Sequence, residues 1–176
     1  MFNIREAVPS DAIGIARVHV ESWKSTYINI VPDDFLKSLS YDRREEYWFS
    51  AIPNGGVYVG ENEKGEVVGF ASGGKERSGN YSNFDGEIYA IYILEEYQGY
   101  GLGKQLIESI IKDLIHQGIT AMLVLVLEDN PSRYFYEKLG AKKVDSIIVE
   151  IGGVKLNELV YVWEDINAIK LADENL

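Results

Sequence analysis

Glu95-Glu96-Tyr97-Gln98-Gly99-Tyr100-Gly101-Leu102-Gly103-Lys104 joins a β-rich run, 87–94, to an amphipathic run, 102–117. Strand, glycine-rich turn, then helix start is an anion-binding arrangement. Glycines let backbone N–H groups converge, and the helix N-terminus adds partial positive charge. The stretch fits neither common nucleotide fingerprint. A P-loop needs G-x-x-x-x-G-K-[ST], but Gln105 follows Gly103-Lys104 and Gln98 stands at the first glycine position. A dinucleotide loop needs G-x-G-x-x-G; the third glycine falls on Lys104 counted from Gly99, or on Leu106 counted from Gly101. The pattern that fits is Q-x-x-G-x-G, carried by Gln98, Gly101 and Gly103.

Working outward, Leu102, Leu106, Ile110 and Leu114 repeat at every fourth residue, so 102–117 reads as a helix that Gly118 ends. The run 120–127 is almost continuously apolar, the pattern of a strand covered on both faces. Asn130 as N-cap, Pro131 at the first helical position and Gly140 past the end mark a short helix over 131–139. Runs 144–151 and 154–163 flank Gly152-Gly153 as a hairpin. On the other side, 57–61 and 67–73 form a hairpin around 62–65, after a turn at Asn54-Gly55-Gly56, and 78–85 is a loop. Run 2–6 alternates as a strand. Ser10 is positioned to cap a first helix whose Ile13, Ala16, Val20, Trp23 and Tyr27 would share one buried stripe. Pro32-Asp33-Asp34 opens a second, and 42–52 a third. Antiparallel hairpins at both ends flank a strand–helix–strand–helix unit. This order predicts a three-layer α/β protein with a mixed, mostly antiparallel central sheet, built as a single domain over 1–176.

Composition narrows the function. The chain has 176 residues and no cysteine, which removes disulfides, a thiolate nucleophile and cysteine-bound metal. His19 and His116 form no metal-ligand spacing, so no metal is expected. With 28 acidic against 17 basic residues the net charge is −11. A field of that sign disfavours nucleic acid and anionic membranes and favours cationic small molecules. Residues 1–6 lack the features of a signal peptide, and the longest apolar run, 121–127, is far below the roughly 20 residues of a spanning helix. A cytoplasmic location is the expectation.

With the block Asn130-Pro131-Ser132-Arg133-Tyr134-Phe135-Tyr136-Glu137-Lys138-Leu139-Gly140 placed after the glycine loop, the chain resembles the GNAT superfamily of acetyl-CoA-dependent N-acetyltransferases. The resemblance spans the Phe2 strand to the Trp163 strand. It implies acetyl-CoA as cosubstrate and a primary amine of a small molecule or peptide as acceptor, with a homodimer possible. It places the coenzyme pyrophosphate on the backbone of Gln98, Gly99, Tyr100, Gly101, Leu102, Gly103 and Lys104, and the pantetheine arm along Ile91, Tyr92 and Ile93. Asn130 would face the pantetheine or only cap its helix; Arg133 would meet a phosphate or lie in solvent. Tyr136 corresponds to the family's general acid, against packing as one aromatic of its cluster. Glu87, with Asp85 as neighbour or a water chain as intermediary, resembles the family's base. Trp23 and Tyr27 belong to the core or, in part, to the acceptor wall. A non-catalytic acyl-CoA-binding module of the same fold is the alternative, which the presence of Tyr136 and Glu87 disfavours.

Overall fold

The computed structural model of the chain describes residues 1–171. Among them seven strands form one sheet: β1 (Asn3–Glu6), β2 (Val57–Glu61), β3 (Val67–Lys75), β4 (Gly86–Ile93), β5 (Met122–Leu127), β6 (Lys142–Ile151) and β7 (Val154–Trp163). Their spatial order is β1-β2-β3-β4-β5-β7-β6, and neighbours are antiparallel except β4 and β5. The described helices are α1 (Ala12–Thr26), α2 (Asp33–Lys37), α3 (Tyr41–Ala51), α4 (Leu102–His116) and α5 (Ser132–Lys138). The mixed, mostly antiparallel three-layer fold expected from the element order is the one observed.

Each face of the sheet has its own cover. On one, α4 buries Leu102, Leu106, Ile110 and Leu114. It seats closely because β2 and β3 carry glycines beneath it. A Cβ on Gly60 would lie 2.5 Å from Leu102 Cδ1, and one on Gly73 would lie 2.6 Å from Ile110 Cγ2. Beside α4, Tyr136 of α5 meets Trp163 of β7 edge-on at 6.0 Å. On the opposite face, His19 of α1 stacks on Tyr92 at 5.1 Å, and its Nδ1 accepts a hydrogen bond from Trp48 Nε1 of α3 at 3.0 Å. Burial, then the charge of Arg44, lowers the His19 pKa to about 3, so this histidine is a neutral buttress.

The apolar run of β5 is covered on both sides, as its sequence implies. Met122, Val124 and Val126 enter the main core, while Leu123 packs with Val160 and Val162, and Leu127 with Tyr27, Val31 and Leu36.

The first helix differs from its sequence reading. Ile13 is 65% exposed, and the buried arc runs through Ala12, Ile15, Ala16, Val18, His19, Val20 and Ser22. A helix packed against both a sheet and α3 buries a wide arc, and the five-residue stripe mistakes its edge. Ser10 does not cap α1 either. Pro9–Asp11 is a 3₁₀ turn, in which Asp11 accepts the Val8 N–H at 2.8 Å and two Arg5 N–H groups at 2.7 and 2.9 Å. The Arg5 guanidinium holds the Asp11 carboxyl below its ordinary pKa.

Candidate active site

The parallel pair β4–β5 runs for three register pairs, Gly86↔Met122, Glu87↔Leu123 and Ile88↔Val124. The β3–β4 register then shifts: Ser72 faces Ala90 while Gly73 faces Ile88, which leaves Tyr89 as an extra residue. Such a bulge bends its strand. Beyond it β4 stays with β3 through Ile91, Tyr92 and Ile93 and parts from β5. Leu94 donates its N–H to Val68 of β3, so Tyr92 shares that side and the N–H groups of Ile91 and Ile93 point to the open edge. A cleft of about 710 Å³ occupies the splay, within the size range of small-molecule sites. Ile91, Tyr92, Ile93, Gln98, Gly99, Gly101, Gly103, Lys104, Asn130 and Tyr136 all line it.

The loop is built for this position. Gly99 and Gly101 have φ of 80° and 82°, in the left-handed region, and Gly101 is the N-cap of α4. Nothing lies within 4 Å of a Cβ built on either, so backbone conformation is what demands glycine there. Gly103 has a different reason. A Cβ on it would sit 3.2 Å from Phe135 Cζ, so this glycine lets the first turn of α4 lie against α5. Gln98 ties the loop to its strand, since Nε2 donates to the Ile93 carbonyl at 3.0 Å. Three residues named for the coenzyme turn their side chains away from the cleft, which leaves the backbone placement of Tyr100 and Leu102 as it was. Tyr100 is 71% exposed and outside the cleft lining, and Leu102 is core. Arg133 folds over the Tyr134 ring and donates to its hydroxyl at 3.0 Å, outside the lining. Loop polarity says where a backbone goes more reliably than where a long side chain ends.

At the inner end of the cleft, phenols from three elements converge. Asn130 Nδ2 donates to the Tyr27 hydroxyl at 3.2 Å, while its Oδ1 accepts the Ser132 N–H at 2.9 Å. Asn130 therefore accepts the first N–H of the helix and lines the cleft at once, while the N-cap position itself is Pro131. The helix itself begins at Ser132, one residue after the expected Pro131. The Tyr92 hydroxyl lies beside Trp23 and Tyr27. Tyr27 is buried just past α1, and Trp23 packs on it at 4.3 Å. Neither lines the cleft; Ser22, Ser25 and Thr26 from the same turns do. Tyr136 is 4% exposed and lines it. Burial, reinforced by Tyr92, raises its pKa well above an ordinary phenol, so the hydroxyl stays protonated through the neutral range.

Glu87 stands apart from this cluster. It is 2% exposed, sits where β4 and β5 are still paired, and accepts from Arg77 Nε at 2.6 Å. Burial raises its pKa and Arg77 opposes the rise. It is absent from the cleft lining, so Glu87 does not touch the space beside Tyr136.

The sequence profile of the Acetyltransferase (GNAT) family matches residues 18–141. The chain belongs to this family. It is 44% identical, over 97% of both chains, to an uncharacterized N-acetyltransferase, YuaI, of Bacillus subtilis (strain 168). It is 28% identical to the L-methionine sulfoximine/L-methionine sulfone acetyltransferase of Pseudomonas paraeruginosa, over 73% of this chain and 72% of that one. Among solved structures, PaiA N-acetyltransferase of Thermoplasma acidophilum, in complex with coenzyme A, superposes with TM-score 0.73 at 22% identity, covering 92% of this chain and 98% of its own. The Salmonella typhimurium yncA structure, with its cofactor acetyl-CoA, gives 0.69 at 21% identity, covering 99% of each. At that identity the likeness is one of fold. As a GNAT acyltransferase the chain is an enzyme, which displaces the non-catalytic alternative.

Ser132, Phe135 and Lys138 also line the GNAT cleft and escaped the sequence reading. Their signal was present in part. On a helix that starts at the cleft, Ser132, Phe135 and Tyr136 fall on one face by their i, i+3 and i+4 spacing.

Proposed function

We propose that the protein transfers the acetyl group of acetyl-CoA to a primary amine by direct aminolysis of the thioester. The observation that carries this reading is the unpaired β4 edge, continuous with a glycine loop at the head of α4 and closed at its inner end by a buried phenol. Loop N–H groups and the start of a 15-residue helix receive the pyrophosphate. The N–H groups of Ile91 and Ile93 pair with the amide-bearing pantetheine as another strand would. One of them also meets the oxyanion that forms at the thioester carbon.

Tyr136 serves the departing sulfur. A thiol has a reference pKa near ~8.5, below the ~10 of a tyrosine, so a protonated Tyr136 stabilises the leaving thiolate chiefly by donating a hydrogen bond. Trp23 and Tyr27 fix the phenol cluster from behind. Glu87 is held by Arg77 outside the cleft lining, so any proton it takes from the amine comes through water, and its neighbour Asp85 is exposed. Relatives carry names as different as mycothiol acetyltransferase, methionine sulfoximine acetyltransferase and ribosomal-protein alanine N-acetyltransferase. Acceptor choice therefore rests on this chain's own residues.

Mixing the protein with acetyl-CoA and a panel of polyamines, aminoglycosides, amino acids, peptides and lysine-rich protein tests the reading. CoA thiol release is expected with at least one acceptor, together with an N-acetylated product by mass spectrometry. Acceptor-independent thiol release alone, with no acetylated amine, would contradict it.

A further inference from the structure

The sheet face that carries Tyr92 has a gap in its cover. Leu123, Leu125 and Leu127 of β5 alternate onto that face. Leu123 packs with Val160 and Val162, against which Tyr81 and Phe84 rest; Leu127 is shielded by Tyr27, Val31 and Leu36. Between them Leu125 is half-buried, as is Ala90 on β4. The gap adjoins the splay, so a molecule lying in it meets the thioester from the side opposite α4 and α5.

Two groups of opposite charge border this gap without partners. Glu158 of β7 stands opposite Leu127 in register, and directly opposed residues share a face. Its half-buried carboxylate therefore projects over the splayed end. No hydrogen bond or ion pair engages that carboxylate among the described residues. Burial raises its pKa, with Glu87 adding and Arg77 opposing. Glu87, by contrast, sits in the Leu123 row, about 13 Å along the strand at ~3.3 Å per residue, and is held by Arg77.

The cation is Arg44. It lies one helical turn before Trp48 on α3, hence on the same face. Lys24 Nζ is 5.5 Å from the Tyr41 ring and Trp48 bonds His19, so α3 brackets Arg44 alongside residues 19–24 of α1. Its charge acts on both His19 and the Tyr92 hydroxyl. Arg44 is half-buried, and no carboxylate pairs with it among the described residues. The Tyr92 hydroxyl thus feels a cation and Glu158 together.

We propose that this gap is the acceptor site and that it takes an amino acid, Glu158 holding the ammonium and accepting a proton from it, Arg44 holding the carboxylate. The proposal rests on the acetyl-CoA reading above. A diamine would set a cation against Arg44, and a plain amine would leave the guanidinium unanswered. The ammonium carries three protons. One passes to Glu158 and on to solvent, freeing the lone pair that forms the C–N bond. The C–S bond breaks with its electron pair leaving on sulfur. The amide keeps one proton, and the last reaches the CoA sulfur beside Tyr136.

The test compares kcat/KM for the twenty L-amino acids with that for their methyl esters, in wild type, Glu158→Gln and Arg44→Gln. Wild type should favour at least one amino acid over its ester tenfold or more. Arg44→Gln should lower kcat/KM for that amino acid about 10–100-fold, mostly through KM, and leave the ester unchanged. Glu158→Gln should lower both substrates at least tenfold. Acetyl-CoA affinity, titrated separately, should be unchanged in both variants. Equal use of acid and ester, no transfer to any amino acid, or full activity in Glu158→Gln would overturn the proposal. Failure to bind acetyl-CoA at all would instead overturn the broader reading.

Discussion

Gly101→Val is expected to abolish acetyl-CoA binding while leaving a folded protein. Gly101 holds φ at 82°, a region that a β-branched residue enters only at a cost of about 1–3 kcal/mol. Space around its Cβ is open, so nothing in the core is displaced. The strain is relieved by rotating the turn, and the N–H groups at the head of α4 rotate with it. Hydrogen bonds to a charged phosphate are worth about 1.5–3 kcal/mol each, so losing two raises Kd by roughly 10²–10⁴-fold. Isothermal titration reads the loss and circular dichroism the fold. Gly118→Val is the control, because Gly118 has φ of 76° and equally open surroundings but lies at the far end of α4. It should lose similar stability and bind acetyl-CoA normally. Normal binding by Gly101→Val would make the loop a connection with no ligand role.

Tyr136→Phe is expected to lower kcat about 10–100-fold and to leave acetyl-CoA affinity within about a few-fold of normal. The substitution keeps the ring that packs on Trp163 at 6.0 Å and Phe135 at 5.5 Å, and removes one hydroxyl at the inner end of the cleft. General acid catalysis is worth about 10²–10⁴-fold at most positions. The low end applies here because thiolate is a good leaving group and the raised phenol pKa limits full proton transfer. Rates at saturating acetyl-CoA against a separate binding titration separate the two effects. An unchanged kcat would leave Tyr136 as a packing residue.

What could be read from the sequence was local. The Q-x-x-G-x-G turn, the fourth-residue stripe of α4 and the both-faces apolar run of β5 each encode their structure within a few residues. The same holds for Asn130, whose two roles follow from its place between a strand end and a helix start. What was hidden depends on contacts distant in sequence. The bulge at Tyr89 creates the splay, yet Ile88-Tyr89-Ala90 carries no glycine or proline to announce it. Glu87 looked like a free strand-end acid, but Arg77, ten residues away on another segment, closes it off. Glu158 sits in an alternating strand like any solvated residue, and only its register with Leu127 puts it on the Tyr92 face of the sheet. Net charge is likewise not a local quantity. The value of −11 describes the outer field, whereas Arg77 pairs with Glu87 and the charge of Arg44 acts on Tyr92. A sum over the surface does not give the sign at one site.

Isothermal titration of the wild-type protein with acetyl-CoA, CoA, ATP and NAD tests most directly whether the β4–β5 cleft is a coenzyme A site. Acetyl-CoA and CoA should both bind, since both carry the pantetheine and the pyrophosphate that the proposed reading assigns to the Ile91–Ile93 edge and the loop. ATP and NAD, which lack the pantetheine, should bind far more weakly or not at all. Tight binding of ATP or NAD with no heat from acetyl-CoA would contradict the assignment.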